Sequence, residues 1–457
     1  MMAEARFRYK NLAELEADCR RLQLDLGFAA DTAVLGEPLA LGGRTVPNRL
    51  CIQPLEGFDA DRRGRPTDLT LRRYRRFAAG GAGLIWFEAA AVCPEGRSNP
   101  RQLLLSPANL ESLAGLVKLT RDTARRRWGE AGDPYCVLQL THSGRFCRPE
   151  GGRAPLLAGH DRVFDPLVGV ETDCELVSDA ELEAIGEDFV AAAVLAEKAG
   201  FDAVDVKACH RYLFSELLGC HERPGHYGGS YENRTRLLTQ TVRAVREQCP
   251  GLTVAVRLNA SDMVRSETAW GVAGVPGGSG GSGNPVPDLT EPKRLAGELK
   301  ALGVGLLNIS AGTPYYNPHV TRPYVRPVAG GSPQPEHPLT GVARLFDLGA
   351  QIQAAVGSLP VVGSGYTWLR QFGARAAAWN VASGRHALAG FGRQAFAYPE
   401  FARDILTTGR MKAQRCCTAC SRCSQLMIWD RPTGCTVHDR QVYLSLYQEE
   451  AARRKEK

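Results

Sequence analysis

The sequence contains no uninterrupted apolar run of about 18 residues, the length that a membrane-spanning helix requires. Its N-terminus is charged throughout and lacks the apolar core of a secretory signal, so we expect a cytoplasmic, reducing location. No basic run with interleaved aromatic residues stands out, so nucleic acid is not an expected partner. No strand-like run is followed by a convincing G-x-G-x-x-G fingerprint, which disfavours a dinucleotide-binding sheet.

The chain does contain enough apolar material for a large core. It is 457 residues long, 44% of them hydrophobic, and its formal net charge is +7. A single α/β barrel commonly exceeds about 250 residues, so this length fits one large domain with additions. The mild positive charge suits an enzyme that binds anionic cofactors, and it equally suits a solvated surface.

Short apolar runs alternate with longer helical patterns along most of the chain. Runs buried on both faces are typical of parallel strands, and parallel pairing needs crossover helices. The runs are 50–54, 83–88, 136–140, 203–207, 253–257, 305–310, 360–363 and 387–390. This α/β alternation predicts a TIM (β/α)8 barrel, with a doubly wound sheet as the structural alternative. We expect an N-terminal helical extension over 1–32 with an amphipathic helix near 10–23, the barrel over 33–410, and a C-terminal cysteine-rich segment and tail over 411–457.

Two loop segments interrupt this alternation. Residues 271–287 are rich in glycine and proline and follow the fifth run, so they would lie at the C-terminal rim of a barrel, as a lid or as a disordered insertion. Residues 313–338 are rich in proline and begin with several aromatics; they follow the sixth run and should cover the same rim.

Five of the fourteen cysteines fall close together near the C-terminus. Cys417, Cys420 and Cys423 form C-x2-C-x2-C, and Cys435 follows after eleven residues. Four thiolates so spaced can hold a cubane iron–sulfur cluster. A four-cysteine zinc site is an alternative, although zinc ribbons usually carry two separate C-x2-C pairs, and disulfides are a third interpretation. The even steps that begin at Cys417 make these four the expected metal ligands and leave Cys416 free.

Polar side chains end three successive strand-like runs. Gln139 lies at the end of the third run, Lys207 at the end of the fourth and Arg257 at the end of the fifth. Polar residues at the C-terminal ends of barrel strands are typical of active sites, although solvation of a strand end would explain any one of them alone.

Glycine-containing turns follow the last two runs, VVGSGY at 361–366 and GFGRQAF at 390–396. Glycine lets the backbone approach an anion, and Arg393 can bind one bidentately. The loops after strands seven and eight form the common phosphate site of barrels, so we expect a phosphorylated cofactor.

Together these segments resemble the Old Yellow Enzyme superfamily of FMN oxidoreductases. The matching motifs keep the family order over roughly residues 35–440: NRLCIQPL (48–55), GGAGLIWFEAAAV (80–92), LQLTHSGR (138–145), AGFDAVDVKACHRYL (199–213), YGGSYENRTRLL (227–238), VRL (256–258) and the GFGR turn. More narrowly, the chain is similar to the barrel-plus-cluster portion of 2,4-dienoyl-CoA reductase and trimethylamine dehydrogenase. We expect it to lack the nucleotide-binding domains that follow in those relatives.

The resemblance implies FMN that is held without a covalent bond. The residues implied to hold its ring system are Pro54, Leu55, Glu56, Ala89, Gln139 and Arg257. Those implied to hold its phosphate are Ser364, Gly365, Gly392 and Arg393. Arg257 would place a positive charge near flavin N1, where it stabilises the anionic reduced flavin.

The resemblance also implies catalytic groups on the fourth βα loop. Tyr212 matches the family's proton donor to the substrate α-carbon. Lys207 and His210 occupy the positions of the family's His-x-x-His or His-x-x-Asn pair, so an amine replaces the first imidazole. Lys207 would polarise a substrate carbonyl, bind a substrate carboxylate, or simply pair with Glu56. Glu56 stands where relatives often carry Cys, Thr or a small residue; it would deprotonate the substrate or only neutralise Lys207.

The sequence therefore predicts an FMN-dependent oxidoreductase with a [4Fe-4S] cluster that reduces an activated C=C bond, with electrons from NAD(P)H or from a partner protein. Two alternatives stay open: a flavin-dependent amine or betaine dehydrogenase that passes electrons out through the cluster, and a non-catalytic flavin/iron–sulfur electron-transfer subunit. We expect a small-molecule substrate and neither a nucleic-acid nor a membrane partner. An electron-transfer partner protein and a homo-oligomer are both compatible with the sequence.

Overall fold

The computed structural model describes residues 6–171, 173–274 and 285–455. Its strands are β1 (Leu39–Leu41), β2 (Arg44–Val46), β3 (Leu50–Ile52), β4 (Leu84–Ala91), β5 (Leu103–Leu104), β6 (Tyr135–Thr141), β7 (Ala203–Val206), β8 (Thr253–Ser261), β9 (Leu306–Ala311), β10 (Val361–Gly363) and β11 (Leu388–Phe391). Its α-helices are α1 (Leu12–Arg21), α2 (Asp68–Ala79), α3 (Leu110–Trp128), α4 (Asp165–Val168), α5 (Asp179–Ala199), α6 (Leu213–Leu218), α7 (Tyr231–Gln248), α8 (Thr290–Ala301), α9 (Pro318–Thr321), α10 (Pro338–Val356), α11 (Gly373–Ala382), α12 (Arg393–Ala397), α13 (Phe401–Thr408), α14 (Arg422–Ile428) and α15 (Arg440–Lys455). Short 3-10 helices lie at 33–36, 107–109, 130–132, 144–146, 366–372 and 413–415.

Parallel strands in the described part of the chain close into a barrel, in the order β3, β4, β6, β7, β8, β9, β10 and β11. β3 pairs with β4 on one side and with β11 on the other, which closes the ring. Each apolar run predicted from the sequence supplies one of these eight strands, so the predicted TIM barrel is confirmed and the doubly wound alternative is wrong. The two-residue strand β5 lies outside this ring and pairs only with the end of β4.

An apolar layer fills the barrel interior from its N-terminal end. Trp86, Tyr135 and other strand residues form this layer, and all of them are buried. The antiparallel β1–β2 hairpin adds Leu41 and Val46 to the same layer and so covers this end of the barrel. The sequence analysis did not identify this hairpin, because its strands are only three residues long. With one end closed and the interior packed, a ligand can enter only from the C-terminal end.

α5 begins and ends where local chemistry predicts. Before α5, the Ser178 side chain accepts a hydrogen bond from the Glu181 backbone N–H, and the Glu181 carboxylate accepts one in return. This capping box satisfies two N–H groups that lack helical partners. α5 ends at Gly200, whose φ of 90° is a conformation that residues with a Cβ atom adopt at a cost. The chain then turns directly into β7.

Additions at both ends pack against the barrel domain. α1 lies inside the predicted range 10–23 and buries Leu15 and Cys19 in the main core, as expected. The cysteine-rich segment contacts the barrel loops through its backbone: Thr433 N–H donates to the Gly57 carbonyl over 2.6 Å. The division at residues 32 and 410 stays a prediction.

Only the ends of the glycine-rich segment 271–287 fall within the described residues. The hypothesis that this segment forms a lid therefore lies outside the described residues. Within the described ranges, no helix is both long enough and apolar enough to cross a lipid bilayer.

A buried charge cluster in the LTHSGR motif provides a test of the fold. Arg145 is fully buried and donates to Glu216 over 2.7 Å and to Asp165 over 2.5 Å. Arg145→Met removes the cation and leaves both carboxylates without it, so we expect a loss of about 3–5 kcal/mol in the free energy of unfolding, measured by urea denaturation. The control is Arg162→Met, because Arg162 is mostly exposed and pairs with Glu267; its loss should stay below about 1 kcal/mol. Equal losses in the two variants would contradict the structural role of the cluster.

Candidate active site

A cavity of about 770 Å³ opens at the C-terminal end of the barrel, opposite the β1–β2 hairpin. The predicted site residues that line it are Pro54, Leu55, Glu56, Gln139, Lys207, His210, Tyr212, Arg257, Ser364, Gly365, Gly392 and Arg393. Ala89 does not line it: this residue is buried in β4, and its carbonyl accepts a hydrogen bond from the Gln102 side chain. The barrel thus gathers residues that are more than 300 positions apart in the chain around one space.

The strand-end residues at the bottom of the cavity are held by Asp205 of β7. Its carboxylate accepts hydrogen bonds from Gln139 Nε2 at 2.6 Å, from Trp86 Nε1 at 3.0 Å and from the Arg257 backbone N–H at 2.6 Å. Burial raises the pKa of Asp205 to about 6, against the lowering effect of these donors. Because Gln139 donates its amide to Asp205, its oxygen is left to accept from a ligand. Arg257 Nε is buried and has no partner among the described residues.

A second polar network joins the closing strand of the barrel to its neighbours. Asn308 donates to Gln53 Oε1 over 2.7 Å, and Gln53 Nε2 donates to Ser364 Oγ over 3.1 Å. Gly390 has to be glycine here, because a Cβ atom would lie only 2.0 Å from Gln53 Nε2. Gln53 and Asn308 were not identified from the sequence. Gln53 lies in the motif NRLCIQPL, and its polar side chain at the end of a strand was the available signal.

Two arginine side chains lie close together beside the glycine turns. Arg393 Nη2 donates to the Pro323 carbonyl over 2.6 Å, whereas its Nη1 is buried without a partner among the described residues. Arg322 also lines the cavity, and burial together with the charge of Arg393 lowers its pKa to about 10. In the described part of the chain, no carboxylate lies within ion-pairing distance of either guanidinium. Two neighbouring cations without a counterion suit a dianion such as a phosphate monoester.

Arg322 was missed by the sequence analysis. It belongs to segment 313–338, which was predicted to cover the rim, but no individual residue of that segment was singled out as a ligand. An arginine followed by proline in such a loop was the only signal present.

Glu56, Lys207 and Tyr212 converge in the cavity as expected from the motifs. Lys207 Nζ lies 3.8 Å from Glu56 Oε1 and 3.8 Å from the centre of the Tyr212 ring. Ser98 donates to the other Glu56 oxygen over 3.3 Å. Burial raises the pKa of Glu56, and Lys207 opposes this; burial lowers the pKa of Lys207, and Glu56 opposes that. Both groups are therefore shifted towards their neutral forms, which eases proton exchange between them and a ligand.

The loop that carries Tyr212 is held in a strained conformation. His210 and Arg211 have φ values of 65° and 63°, which is unusual for two consecutive residues with side chains. Arg211 is anchored by Asp262 at 3.2 Å. His210 Nε2 lies 3.0 Å from Ser310 Oγ, and burial holds the pKa of His210 well below 6.5, so the imidazole is neutral. Backbone strain of this kind is typical of functional loops.

Tyr212 has an aromatic neighbour that the sequence analysis did not single out. Its hydroxyl lies 2.9 Å from the hydroxyl of Tyr315, which follows β9. The Tyr315 ring stacks on Phe146 with the ring centres 3.7 Å apart. Burial raises the pKa of Tyr212 well above 10, so the phenol is protonated at neutral pH. A protonated phenol fixed by two aromatic rings can donate a proton in one defined direction.

The four predicted thiol ligands lie close enough to influence one another. Burial raises the pKa of Cys417 to about 12; Arg393 lowers it, while Cys423 and Cys435 raise it further. Cys435 is affected in turn by Cys423 and Cys420. The Ala419 N–H points at the Cys417 sulfur over 3.4 Å, and such backbone donors stabilise thiolates that bind iron.

Cys416 is oriented away from this group. Its thiol donates to the Lys412 carbonyl over 3.4 Å. The backbone between the other cysteines turns sharply, because Ala419 and Ser421 have φ values of 51° and 58°. Among the described residues, no group of three or more His, Cys, Asp or Glu side chains is arranged to hold a single metal ion. The assignment of Cys417, Cys420, Cys423 and Cys435 to one metal centre therefore stays a prediction.

These features can be compared with known proteins. The family model described as "NADH:flavin oxidoreductase / NADH oxidase family" matches residues 34–270, so the chain belongs to this family. It is an oxidoreductase of the Old Yellow Enzyme superfamily. An NADPH dehydrogenase of Bacillus pumilus is 32% identical over 282 residues, which are 61% of this chain and 73% of the relative.

Solved structures of low sequence identity share the fold. A complex of 2-naphthoyl-CoA reductase has a TM-score of 0.69 at 20% identity and is matched over 90% of this chain and 57% of its own. Histamine dehydrogenase from Rhizobium sp. 4-9 has a TM-score of 0.66 at 20% identity, over 88% of this chain and 52% of its own. An Old Yellow Enzyme homologue from Zymomonas mobilis has a TM-score of 0.59 at 22% identity, and the match covers 83% of this chain and 94% of its own. The chain thus spans little more than half the length of the first two.

A buried histidine beside the site gives a prediction for the dependence of stability on pH. His142 follows β6, accepts a hydrogen bond from the Gly144 N–H over 3.2 Å, and has a pKa that burial lowers to about 4. Its stabilising contribution is present above the unfolded pKa of 6.5 and is lost as pH falls through the window from 6.5 to 4. Between pH 7 and 5 we expect the wild type to lose about 2 kcal/mol of unfolding free energy through this group. His142→Gln should lose that much less, as measured by urea unfolding at both pH values; equal losses in the two proteins would contradict it.

Proposed function

We propose that this oxidoreductase binds FMN, carries a [4Fe-4S] cluster and reduces an activated C=C bond. The observation that carries the proposal is the convergence of Lys207, His210 and Tyr212 in a cavity whose far side holds Arg322 and Arg393 without a counterion. One side of the cavity thus suits a phosphorylated cofactor and the other suits a carbonyl-bearing substrate. NADPH dehydrogenase relatives support NAD(P)H as the electron source; a partner protein is the alternative source.

The residues present fit FMN. Arg322 and Arg393, with the backbone near Ser364, Gly365 and Gly392, would hold the phosphate. The free oxygen of Gln139 would accept from the pyrimidine ring, and the unpartnered Nε of Arg257 would donate to it. Pro54 and Leu55, which line the cavity, are proposed to contact the ring system. When bound, FMN supplies the hydride that adds to the β-carbon of the substrate.

The side chains of this protein supply the proton and the orientation. Tyr212 Oη gives its proton to the α-carbon of the substrate, since this phenol is protonated and its ring lies beside Lys207 in the cavity. Lys207 and the neutral His210 hold the carbonyl oxygen of the substrate and polarise the conjugated double bond. Glu56, 3.8 Å from Lys207, balances the ammonium charge when no substrate is present.

The thiolates of Cys417, Cys420, Cys423 and Cys435 are proposed to ligate the cluster. The mutual influence of these thiols and the N–H groups directed at Cys417 and Cys435 support these four as one ligand set, and their even spacing favours a cluster. When bound, the cluster exchanges single electrons with other centres. Arg393 links the two sites electrostatically, because its charge acts on Cys417 while its other face lines the cavity.

Oxidation of an amine or betaine is the second candidate. It is favoured by Glu56, a carboxylate in the cavity that could bind a substrate ammonium group, and by the fold shared with histamine dehydrogenase. Electrons would then leave through the cluster. A non-catalytic electron-transfer role is the third candidate, and anaerobic mixing of the enzyme with NADPH and with candidate amines separates all three.

Tyr212→Phe tests the proposed proton donor. The variant keeps the ring and loses the proton, so we expect reoxidation of the reduced enzyme by 2-cyclohexen-1-one to slow by about 100-fold or more. Reduction of the enzyme by NADPH should change less than about twofold, because that step needs no proton from this phenol. Both rates are measured by anaerobic stopped-flow on enzyme whose released flavin chromatographs as FMN.

Tyr227→Phe is the matched control, since it removes a tyrosine hydroxyl that bonds Glu183 and does not line the cavity, and it should leave both rates unchanged. Equal slowing of the two half-reactions in Tyr212→Phe would argue against a proton donor.

The cysteine assignment has a test that does not depend on activity. Cys420→Ser should lose the cluster, whereas Cys416→Ser should keep about four irons and four sulfides per chain and the low-temperature EPR signal of the reduced centre. The contrast follows from the orientation of Cys416, whose thiol donates to Lys412. One zinc per chain in the wild type, or loss of iron in both variants, would refute the assignment.

A further inference from the structure

We infer that the substrate has a long or bulky apolar body, which lies on an apolar rim at the cavity mouth while its polar end enters the cavity. We call this surface the apolar rim and define it by Leu167, Tyr315, Tyr316 and Ile428. The inference rests on the proposed function and adds to it the class of substrate.

The apolar rim gathers side chains that a soluble protein normally buries or scatters. In the described part of the chain, the large apolar side chains with high exposure are Leu167 (38%), Val286 (59%), Tyr315 (42%), Tyr316 (51%), Leu406 (37%) and Ile428 (57%). Three of these six line the cavity, and Tyr316 adjoins Tyr315 and packs its ring on Phe164. Exposed apolar groups that cluster at one opening mark a binding surface, whereas isolated ones need no explanation.

The apolar rim continues into the cavity without a break. Val168 and Met427, the sequence neighbours of Leu167 and Ile428, also line the cavity. Farther in, Phe146 forms the wall on which Tyr315 stacks. A ligand can therefore stay in contact with apolar surface over the whole distance from the mouth to the polar end.

Two arginine side chains carry charge near the mouth. Arg148 lines the cavity, but its guanidinium donates to Asp430 over 2.8 Å, so its charge is already balanced. Arg153 also lines the cavity; it is exposed and has no ion-pair partner among the described residues. Lys207 and Glu56 face each other in the same cavity. A substrate that matches this order carries its carbonyl at one end and an apolar chain or ring system behind it.

The expected gain in affinity follows from the burial of apolar surface. A fully buried methylene group gains about 0.8 kcal/mol, equivalent to about fourfold in the dissociation constant. The rim side chains are themselves half exposed and would bury a methylene only in part. We therefore expect the dissociation constant to fall about threefold for each methylene that reaches them.

The test separates binding from turnover. Binding of the unreactive ketones 2-pentanone, 2-heptanone and 2-decanone to the oxidised holoenzyme is measured by calorimetry. We expect Kd to fall about threefold per methylene along this series. Turnover of the matching enones, from 3-penten-2-one to 3-decen-2-one, is measured in parallel with NADPH and should show kcat/KM rising with chain length.

Three variants locate the effect. Ile428→Asp and Leu167→Asp place a charge on opposite sides of the apolar rim and should weaken 2-decanone at least tenfold, while 2-pentanone changes less than twofold. Leu406→Asp is the matched control, because Leu406 is equally exposed but does not line the cavity. Leu406→Asp should leave the Kd of 2-decanone and the Kd of 2-pentanone unchanged. Leu167 lies on α4, away from the cysteines, so its variant cannot act through the cluster.

A Kd that is independent of chain length, or equal losses in Leu167→Asp and Leu406→Asp, would overturn the inference even if the enones were reduced. Chain-length-dependent binding without reduction of any enone would support the apolar rim and overturn the proposed function instead.

Discussion

Closure of the barrel at β3 determines where every functional side chain can lie. This strand has only three residues, all buried, yet it pairs with both β4 and β11 and completes the ring. In a closed ring of parallel strands, the residues that follow the strand ends meet at one rim. Gln53, which comes directly after β3, shows the consequence: it bonds to Asn308 of β9 and to Ser364 after β10. A site assembled from residues so distant in the chain needs no long flexible segment to bring them together.

The closed barrel also explains how the site tolerates charge. A buried ion needs a partner and hydrogen bonds to be stable. Arg145 has both, with Glu216 and Asp165 in direct contact, and it serves the fold. Lys207 and Glu56 are 3.8 Å apart, and the pKa of each is shifted towards its neutral form. Groups so poorly compensated are a cost to stability that only interaction with a ligand would repay, which distinguishes a binding site from a structural ion pair.

Local pattern was sufficient to predict the strands and several residues that line the cavity, and it failed where contacts are long-range. The eight apolar runs were recognisable because parallel strands are buried on both faces. Gln139, Lys207 and Arg257 were recognisable because polar residues at strand ends are unusual. Arg322 was not recognisable. Its proposed role depends on its neighbour Arg393, which lies far along the chain, and on the lack of a counterion beside the two. The β1–β2 hairpin was missed because three-residue strands carry no periodicity.

The C-terminal segment links two features that are usually discussed separately. α14 begins at Arg422, holds Cys423 in its first turn and ends at Ile428 on the apolar rim. The helix has only seven residues, and its buried residues Ser424, Gln425 and Leu426 fix it between the thiols and the cavity mouth. The proposed cluster ligand Cys423 and the apolar-rim residue Ile428 therefore lie on one short, well-packed helix, which places the two proposed sites side by side.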